Sequence, residues 1–234
     1  MDQREGDGYI AYERLYFLTM KPTLEFPKTI RFLNRDEIPN NPSILKGWEE
    51  SKTANIVQGY TFRLNKNNPE NKSIGFNFFA EINIDNSDLW SLVLSLSQTL
   101  PDVAAVLFGD IDFDLNYGNY EERDGILEFI SQYKKELTQD AFISFGLIYN
   151  DDESLVEIFI DESKYIKYWG IDENFFREIM NDFGLKEIEN LEFVDEYPKV
   201  REVLTRFDKA AVDSKTLIEI FSEKYLNQPL FILN

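Results

Sequence analysis

Acidic residues recur at short, regular intervals between Asp110 and Glu121. Oxygen-bearing side chains occupy positions 1, 3, 5, 7 and 12 of this twelve-residue window, which are the positions that bind calcium in an EF-hand loop. An EF-hand also needs glycine at position 6, where this chain has Leu115. It needs a helix before the loop as well, whereas the sequence pattern before Asp110 predicts a strand. The spacing of a calcium loop is therefore present without the glycine and the helix that accompany it.

The same window predicts a strand with one acidic face. Because side chains alternate along a strand, Ile111, Phe113 and Leu115 are expected to face inward and the intervening aspartates outward. Acids next to exposed aromatic rings suit a basic protein partner. A solvated acidic edge that prevents edge-to-edge strand pairing is the structural alternative. The predicted partner-binding residues are Asp110, Asp112, Asp114, Tyr117, Tyr120, Glu121, Glu122 and Asp124.

Carboxylates can also catalyse reactions without other side chains. Asp110, Asp112 or Asp114 could supply the pair that a glycosidase or a metal-dependent nuclease needs. Adjacent acids are common in a chain with 43 of them, however, and no glycine-rich phosphate loop accompanies these. We therefore expect a protein that is not an enzyme, with a carboxylate-based hydrolase or calcium-binding module centred on Asp110–Glu121 as the alternative.

Two missing residue types restrict the chemistry further. The chain has no cysteine and no histidine. It therefore has no disulfide, thiolate nucleophile, Ser-His-Asp triad, or metal site with thiolate or imidazole ligands. The sequence predicts no cofactor.

The charge balance indicates which partners are favoured. The net charge is −19, and residues 1–73 are nearly neutral, with ten acids and eleven bases, so the acidity belongs to the rest of the chain. Nucleic acids and anionic membranes attract bases, so neither is an expected partner. The polar N-terminus lacks the pattern of a signal peptide, and no apolar run approaches the ~20 residues that span a bilayer, so we expect a cytoplasmic protein.

The pattern of elements predicts an α+β fold, a mixed β-sheet with four to five helices packed against it. The length fits one domain over residues 1–234, with a possible subdivision into 1–72, near-neutral and strand-rich, and 73–234, acidic. Predicted strands cover residues 9–20, 28–33, 56–64, 74–82, 103–108, 142–149 and 155–160. Residues 74–108 read as strand, helix, strand, a unit that normally pairs its strands in parallel.

Apolar spacing and capping residues predict five helices. The first follows Asn86 or Ser87 and ends before Pro101. The third begins after Asp172 and ends at Gly184. The second spans residues 126–137, the fourth opens at Pro198 and runs to Phe207, and the last covers residues 217–225.

Three segments of the chain are similar in style to a known family. They are Asp140–Asp151 (DAFISFGLIYND), Tyr165–Gly170 (YIKYWG) and Asp195–Pro198 (DEYP). The chain resembles the small, acidic immunity proteins of bacterial polymorphic toxin systems. The resemblance implies a cytoplasmic α+β protein that neutralises a cognate toxin by covering its basic active site with an acidic face, and it assigns no role to individual residues.

Overall fold

The structure is a computed structural model that describes residues 24–65, 75–111 and 114–226. The predicted strand at residues 9–20 lies outside these ranges. The described strands are β1 (Ile30–Phe32), β2 (Gly59–Leu64), β3 (Phe78–Asn83), β4 (Val103–Asp110), β5 (Asn116–Glu122), β6 (Ile143–Asn150), β7 (Leu155–Ile160), β8 (Ile166–Gly170) and β9 (Lys199–Arg201). The helices are α1 (Pro42–Ser51), α2 (Asn86–Ser97), α3 (Arg123–Ser131), α4 (Lys134–Gln139), α5 (Glu173–Asp182) and α6 (Ser214–Tyr225). Short 3-10 helices cover Arg35–Glu37, Val194–Glu196 and Leu204–Arg206.

Seven strands form one sheet in the order β2-β3-β8-β7-β6-β4-β5, and β1 pairs with β9 in a separate sheet. The α+β class is confirmed. Every pair of these named strands is antiparallel, whereas the sequence predicted a mixed sheet. The strand-helix-strand unit runs through α2 as predicted, but β8, β7 and β6 lie between β3 and β4, so the two strands do not pair.

Helices cover one face of the large sheet. Helices α2 to α6 contribute buried side chains to a single hydrophobic cluster, together with alternate strand residues such as Phe78, Val106 and Ile158. Because side chains in a strand alternate between the two faces, the residues between these must point to the other side of the sheet. Helix α1 lies apart, next to β1, where the Trp48 indole donates a hydrogen bond of 2.9 Å to the Leu33 carbonyl.

Local capping accounts for the helices that the sequence predicted correctly. The Asp172 side chain accepts a hydrogen bond from the Phe175 backbone N–H at the start of α5, and Gly184 ends the segment with φ +68°. Helices α2 and α6 and the hairpins β2–β3 and β6–β7 are also confirmed. Helix α1 was not predicted, although Asn41 caps it and Pro42 opens it.

Two helix predictions are wrong because tertiary contacts outweigh the local pattern. The predicted helix 126–137 is two helices, and the second of them turns so that the Thr138 carbonyl accepts a buried hydrogen bond of 2.7 Å from the Asn86 side chain. The predicted helix from Pro198 is β9 followed by a 3-10 turn, because residues 199–201 pair with β1.

A buried ionic cluster forms at the turn between β7 and β8. Lys164 has a φ of 65°, a left-handed conformation that is uncommon outside glycine, and its Nζ donates to the Ile143 carbonyl at 2.6 Å. Burial lowers its pKa to about 8, and burial raises the pKa of nearby Asp140. The neighbouring Ser163 hydroxyl donates to Asp195, which also pairs with Lys199 of β9. The cluster therefore links the two sheets.

The first prediction concerns the stability contributed by α2 to the helix-covered core. Leu92 is fully buried, whereas Leu94 on the same helix is 38% exposed. Leu92→Ala is expected to lower the free energy of unfolding by about 2–5 kcal/mol, because it leaves a cavity under the sheet. Leu94→Ala, the matched control, is expected to lower it by less than about 1 kcal/mol. Urea unfolding followed by circular dichroism measures both, and equal losses would contradict the assigned packing.

Candidate functional site

The face of the large sheet opposite the helices carries two continuous rows of side chains. Residues paired directly across antiparallel strands lie on the same face, so the register identifies each row. The first row is Arg63, Phe79, Trp169, Glu157, Ile148, Ala105 and Tyr120. The second row is Thr61, Glu81, Lys167, Phe159, Gly146, Leu107 and Tyr117. We call these two rows the aromatic face.

Aromatic side chains lie on both sides of this face, in β3, β8 and β7 on one side and in β5 on the other. The rings of Phe79 and Trp169 are 4.9 Å apart, and both are half-buried, as is Phe159. Ala105 and Leu107 in β4 are buried. At the end of the rows Tyr117 is 60% exposed and Tyr120 48% exposed, so the surface has large apolar area that a partner could cover.

Ion pairs neutralise most of the charge within the two rows. Arg63 lies 3.7 Å from a Glu81 carboxylate oxygen. Lys167 pairs at 2.8 Å with Asp161, which follows β7. The remaining charged residue of the rows is Glu157, which forms no ion pair or side-chain hydrogen bond with any residue in the described part of the chain.

Glu157 lies in the middle strand of the sheet, directly between Trp169 and Ile148. Burial disfavours its charged form and raises its pKa to about 7, well above the usual 4.5 of a glutamate. Its carboxyl group is therefore close to half-ionised at neutral pH.

A groove of about 460 Å³ borders the β2 side of the aromatic face. The segment from Glu189 to Phe193 forms its opposite wall, and Thr61, Arg63 and Glu81 form its floor. Phe193 packs against Tyr165 with ring centroids 4.9 Å apart, which anchors this wall to the sheet. The wall carries Glu189 and Glu192, and Asp195 and Glu196 also line the groove, so the groove has an acidic rim.

Strand β5 divides the predicted partner-binding residues between its two sides. Tyr117, Tyr120 and Glu122 share the side of the aromatic face and are exposed. Glu121 points to the helix side, where its carboxylate pairs with Lys224 of α6 at 3.0 Å. The Tyr120 hydroxyl donates to the Asn150 carbonyl and accepts from the Asn150 N–H, so this side chain also joins β5 to the end of β6.

The predicted outward position of Asp110 is wrong. Asp110 ends β4 with only 8% of its surface exposed, whereas Ile111, predicted to face inward, is 38% exposed. The reason is strand alternation: Val106 and Phe108 point into the helix-covered core, so Asp110 lies on their side of the strand. Asp110 and the exposed tyrosines of β5 are therefore on opposite sides of the sheet.

The other predicted acids lie outside the rows. Asp114 is exposed just before β5, and Asp112 lies outside the described residues. Asp124 is in the first turn of α3, where it accepts a hydrogen bond of 3.1 Å from Arg123 Nε. In the described parts of the chain, no group of three or more acidic side chains is arranged to hold a metal ion.

Comparisons with protein-family models, with curated proteins and with solved structures find no match to this chain. The assignment of a function therefore depends on the geometry of the chain itself.

Sequence reasoning did not identify the central members of the aromatic face. Phe79, Glu157 and Trp169 come from three separate strands that the register brings side by side. Side chains alternate along Leu155–Ile160, so Glu157 lies on the face away from the buried Val156 and Ile158. This alternation was the one indication in the sequence that Glu157 belongs to the second face of the sheet. The sequence does not contain the strand order that sets Glu157 next to Trp169.

None of the helices in the described ranges is both long and apolar enough to cross a membrane.

The second prediction follows from the position of Glu157 and concerns how the free energy of unfolding depends on pH. Its carboxyl group ionises near pH 4.5 in the unfolded chain and near pH 7 in the folded one, so stability falls as pH rises between these values. Glu157→Gln is expected to gain on the order of 1–2 kcal/mol over the wild type between pH 4 and pH 8, allowing for partial solvent screening.

Unfolding titrations at both pH values measure this difference. The control is Glu153→Gln, because Glu153 is an exposed carboxylate in the turn before β7. A Glu157→Gln difference that is independent of pH, or one equal to that of the control, would contradict the assigned burial of Glu157.

Proposed function

We propose that this protein binds a basic protein partner through the aromatic face and the exposed edge of β5, and that the partner is a toxin domain which it neutralises. The single observation that carries the proposal is the aromatic face itself. It places the half-buried rings of Phe79, Phe159 and Trp169 on one face of the sheet in a strongly acidic protein, and the exposed Tyr117 and Tyr120 lie at the β5 end of the same face. Aromatic anchors in a surface of complementary charge are typical of protein interfaces.

Charge supports a basic partner in particular. The chain has a net charge of −19, and Glu122 and Glu189 are exposed near the edges of the aromatic face. Such a field attracts a cationic protein over several ångströms and speeds its association. The rings then supply the apolar area that holds the complex together.

The toxin assignment has a separate support, the resemblance to immunity proteins of polymorphic toxin systems. Two of the segments that carry the resemblance, residues 140–151 and 165–170, include β6 and β8, which contribute Ile148, Trp169 and Lys167 to the aromatic face. Neutralisation by covering a basic site requires no catalysis and no cofactor. The proposal includes a cytoplasmic location, because a chain without cysteine gains nothing from an oxidising compartment.

The alternative, a carboxylate hydrolase or calcium module at Asp110–Glu121, has weaker support. Asp110 is buried at the end of β4, and Glu121 is paired with Lys224. The burial of Asp110 and the ion pair of Glu121 are structural roles, and neither role requires a bound calcium ion or a substrate.

Co-expression with the product of the neighbouring reading frame tests the proposed function. We expect the protein to rescue growth from a toxic neighbour and to form a complex of defined stoichiometry that survives purification. A harmless neighbour that forms no complex would count against the toxin assignment.

The third prediction assigns that complex to the aromatic face. Tyr117→Ala and Trp169→Ala are each expected to weaken binding at least about tenfold, because each removes an aromatic anchor. Phe175→Ala is the matched control, since Phe175 is a partly exposed ring on α5, on the helix side of the sheet. Calorimetry on variants with native circular dichroism measures the affinities. If Tyr117→Ala and Phe175→Ala bind equally well, the partner uses another surface.

The fourth prediction concerns the role of charge. The association rate is expected to fall at least about tenfold between ~50 mM and ~500 mM NaCl, while the dissociation rate changes little, because salt screens long-range attraction. Stopped-flow fluorescence measures both rates. An association rate that does not respond to salt would contradict electrostatic steering.

A further inference from the structure

Glu157 occupies a position that is unfavourable for an isolated carboxylate. It lies on the central strand of the sheet, with the Trp169 side chain on one neighbouring strand and Ile148 on the other. Ile148 has no hydrogen-bond donor in its side chain, and the Trp169 indole makes no hydrogen bond to Glu157 among the described residues, where burial is the cause of the raised Glu157 pKa. A carboxylate in such surroundings destabilises the fold when it ionises.

The cations nearest to Glu157 in the sheet are already paired. Lys167 of β8, in the adjacent row, binds Asp161 at 2.8 Å, and its Nζ also lies 5.1 Å from the ring centroid of Tyr165. Arg63 of β2, two strands beyond Trp169, lies 3.7 Å from Glu81 of β3. On the other side, β6 places Ser144, Gly146, Ile148 and Asn150 on this face, and none of them carries a charge.

We infer that Glu157 is the binding site for one arginine side chain of the partner, whose guanidinium group pairs with the carboxylate and stacks on Trp169. This inference rests on the proposed function and names the chemistry that recognition uses. A guanidinium group is planar and binds a carboxylate through two parallel hydrogen bonds. It also stacks on an indole ring, which a lysine ammonium matches less well in shape.

The neighbouring residues fit this occupant. Trp169 is half-buried and is supported from behind by Phe79, so its ring is held in place before a partner arrives. Ile148 supplies an apolar wall on the opposite side, against which the aliphatic stem of an arginine can pack. The partially buried carboxylate lies between them, where a charge pair is screened less than on an exposed surface.

The site also makes recognition dependent on pH. The guanidinium group stays charged at all relevant pH values, so Glu157 is the group that titrates. Lys167, Asp161, Arg63 and Glu81 are the other charged groups around it, and they are held in their two ion pairs. Arginine binding is therefore expected to weaken about tenfold from pH 8 to pH 6, as the Glu157 carboxyl takes up its proton.

A small probe tests the inference without the partner. N-acetyl-arginine methylamide carries one guanidinium group and no other charge, and N-acetyl-citrulline methylamide is its neutral isostere. The probes are titrated into the full chain at pH 8 and pH 6, and amide shifts of residues 148, 157 and 169 are followed by NMR. The variants are Glu157→Gln and the control Glu153→Gln, which removes an exposed carboxylate of the same charge.

We expect the arginine probe to bind the wild type saturably and at least about tenfold more tightly than it binds Glu157→Gln. Glu153→Gln is expected to bind it with the same affinity as the wild type. We also expect no saturation with citrulline. Equal binding to Glu157→Gln, equal binding of citrulline, or no saturable binding by the wild type would each overturn the inference. The proposed function fails by a different result, the absence of a complex with the neighbouring gene product, so the two failures are distinguishable.

Discussion

The antiparallel sheet must bury one face beneath five helices, and the rest of the structure depends on this constraint. Once Phe78, Val106 and Ile158 point into the helix-covered core, the period of two determines which side chains appear on the other face. The register continues without interruption from β2 to β6, and only the β4–β5 pair contains an irregularity, between Ala105 and Leu107. A slip of one residue in any of these strands would exchange its two faces. The aromatic face is thus a consequence of how the core is packed.

The protein accommodates buried charge in two contrasting ways. At the turn between β7 and β8, Lys164 is buried but its Nζ donates to the Ile143 carbonyl, and Asp161 pairs with Lys167. Each of those charged groups has a partner, and the neighbouring Ser163 links the turn through Asp195 to Lys199 of the small sheet, which is a structural use of charge. In the middle of β7, by contrast, Glu157 has burial without a described cation. An unpaired carboxylate lowers stability, and such local costs are concentrated where a protein binds something. This contrast is why the proposed site is centred on Glu157 and not on the more heavily charged turn.

The predictions that succeeded depend on short-range interactions. The Asp172 cap and Gly184 lie within the length of α5 and its ends, and the stripe of α2 repeats every three or four residues. The predictions that failed concern segments whose partners are far away in the chain. Residues 199–201 adopt an extended form because Ile30–Phe32 pairs with them, and α4 separates from α3 where Asn86 binds the Thr138 carbonyl. The predicted outward placement of Asp110 is wrong for a similar reason, since the side of β4 that faces the core is covered by helices from other parts of the chain.

The sequence by itself determined the α+β class, the acidic character, the absence of thiol and imidazole chemistry, and the exposure of Tyr117 and Tyr120. These follow from composition and from patterns within about a dozen residues, where each side chain interacts with near neighbours. Only the tertiary structure decided that Trp169, Glu157 and Ile148 lie in one row and that Glu121 belongs to the other side. The physical reason is that strand order and register depend on the total packing of seven strands and five helices. The free-energy difference between one arrangement of those strands and another comes from contacts between many segments, so it cannot be read from any one of them.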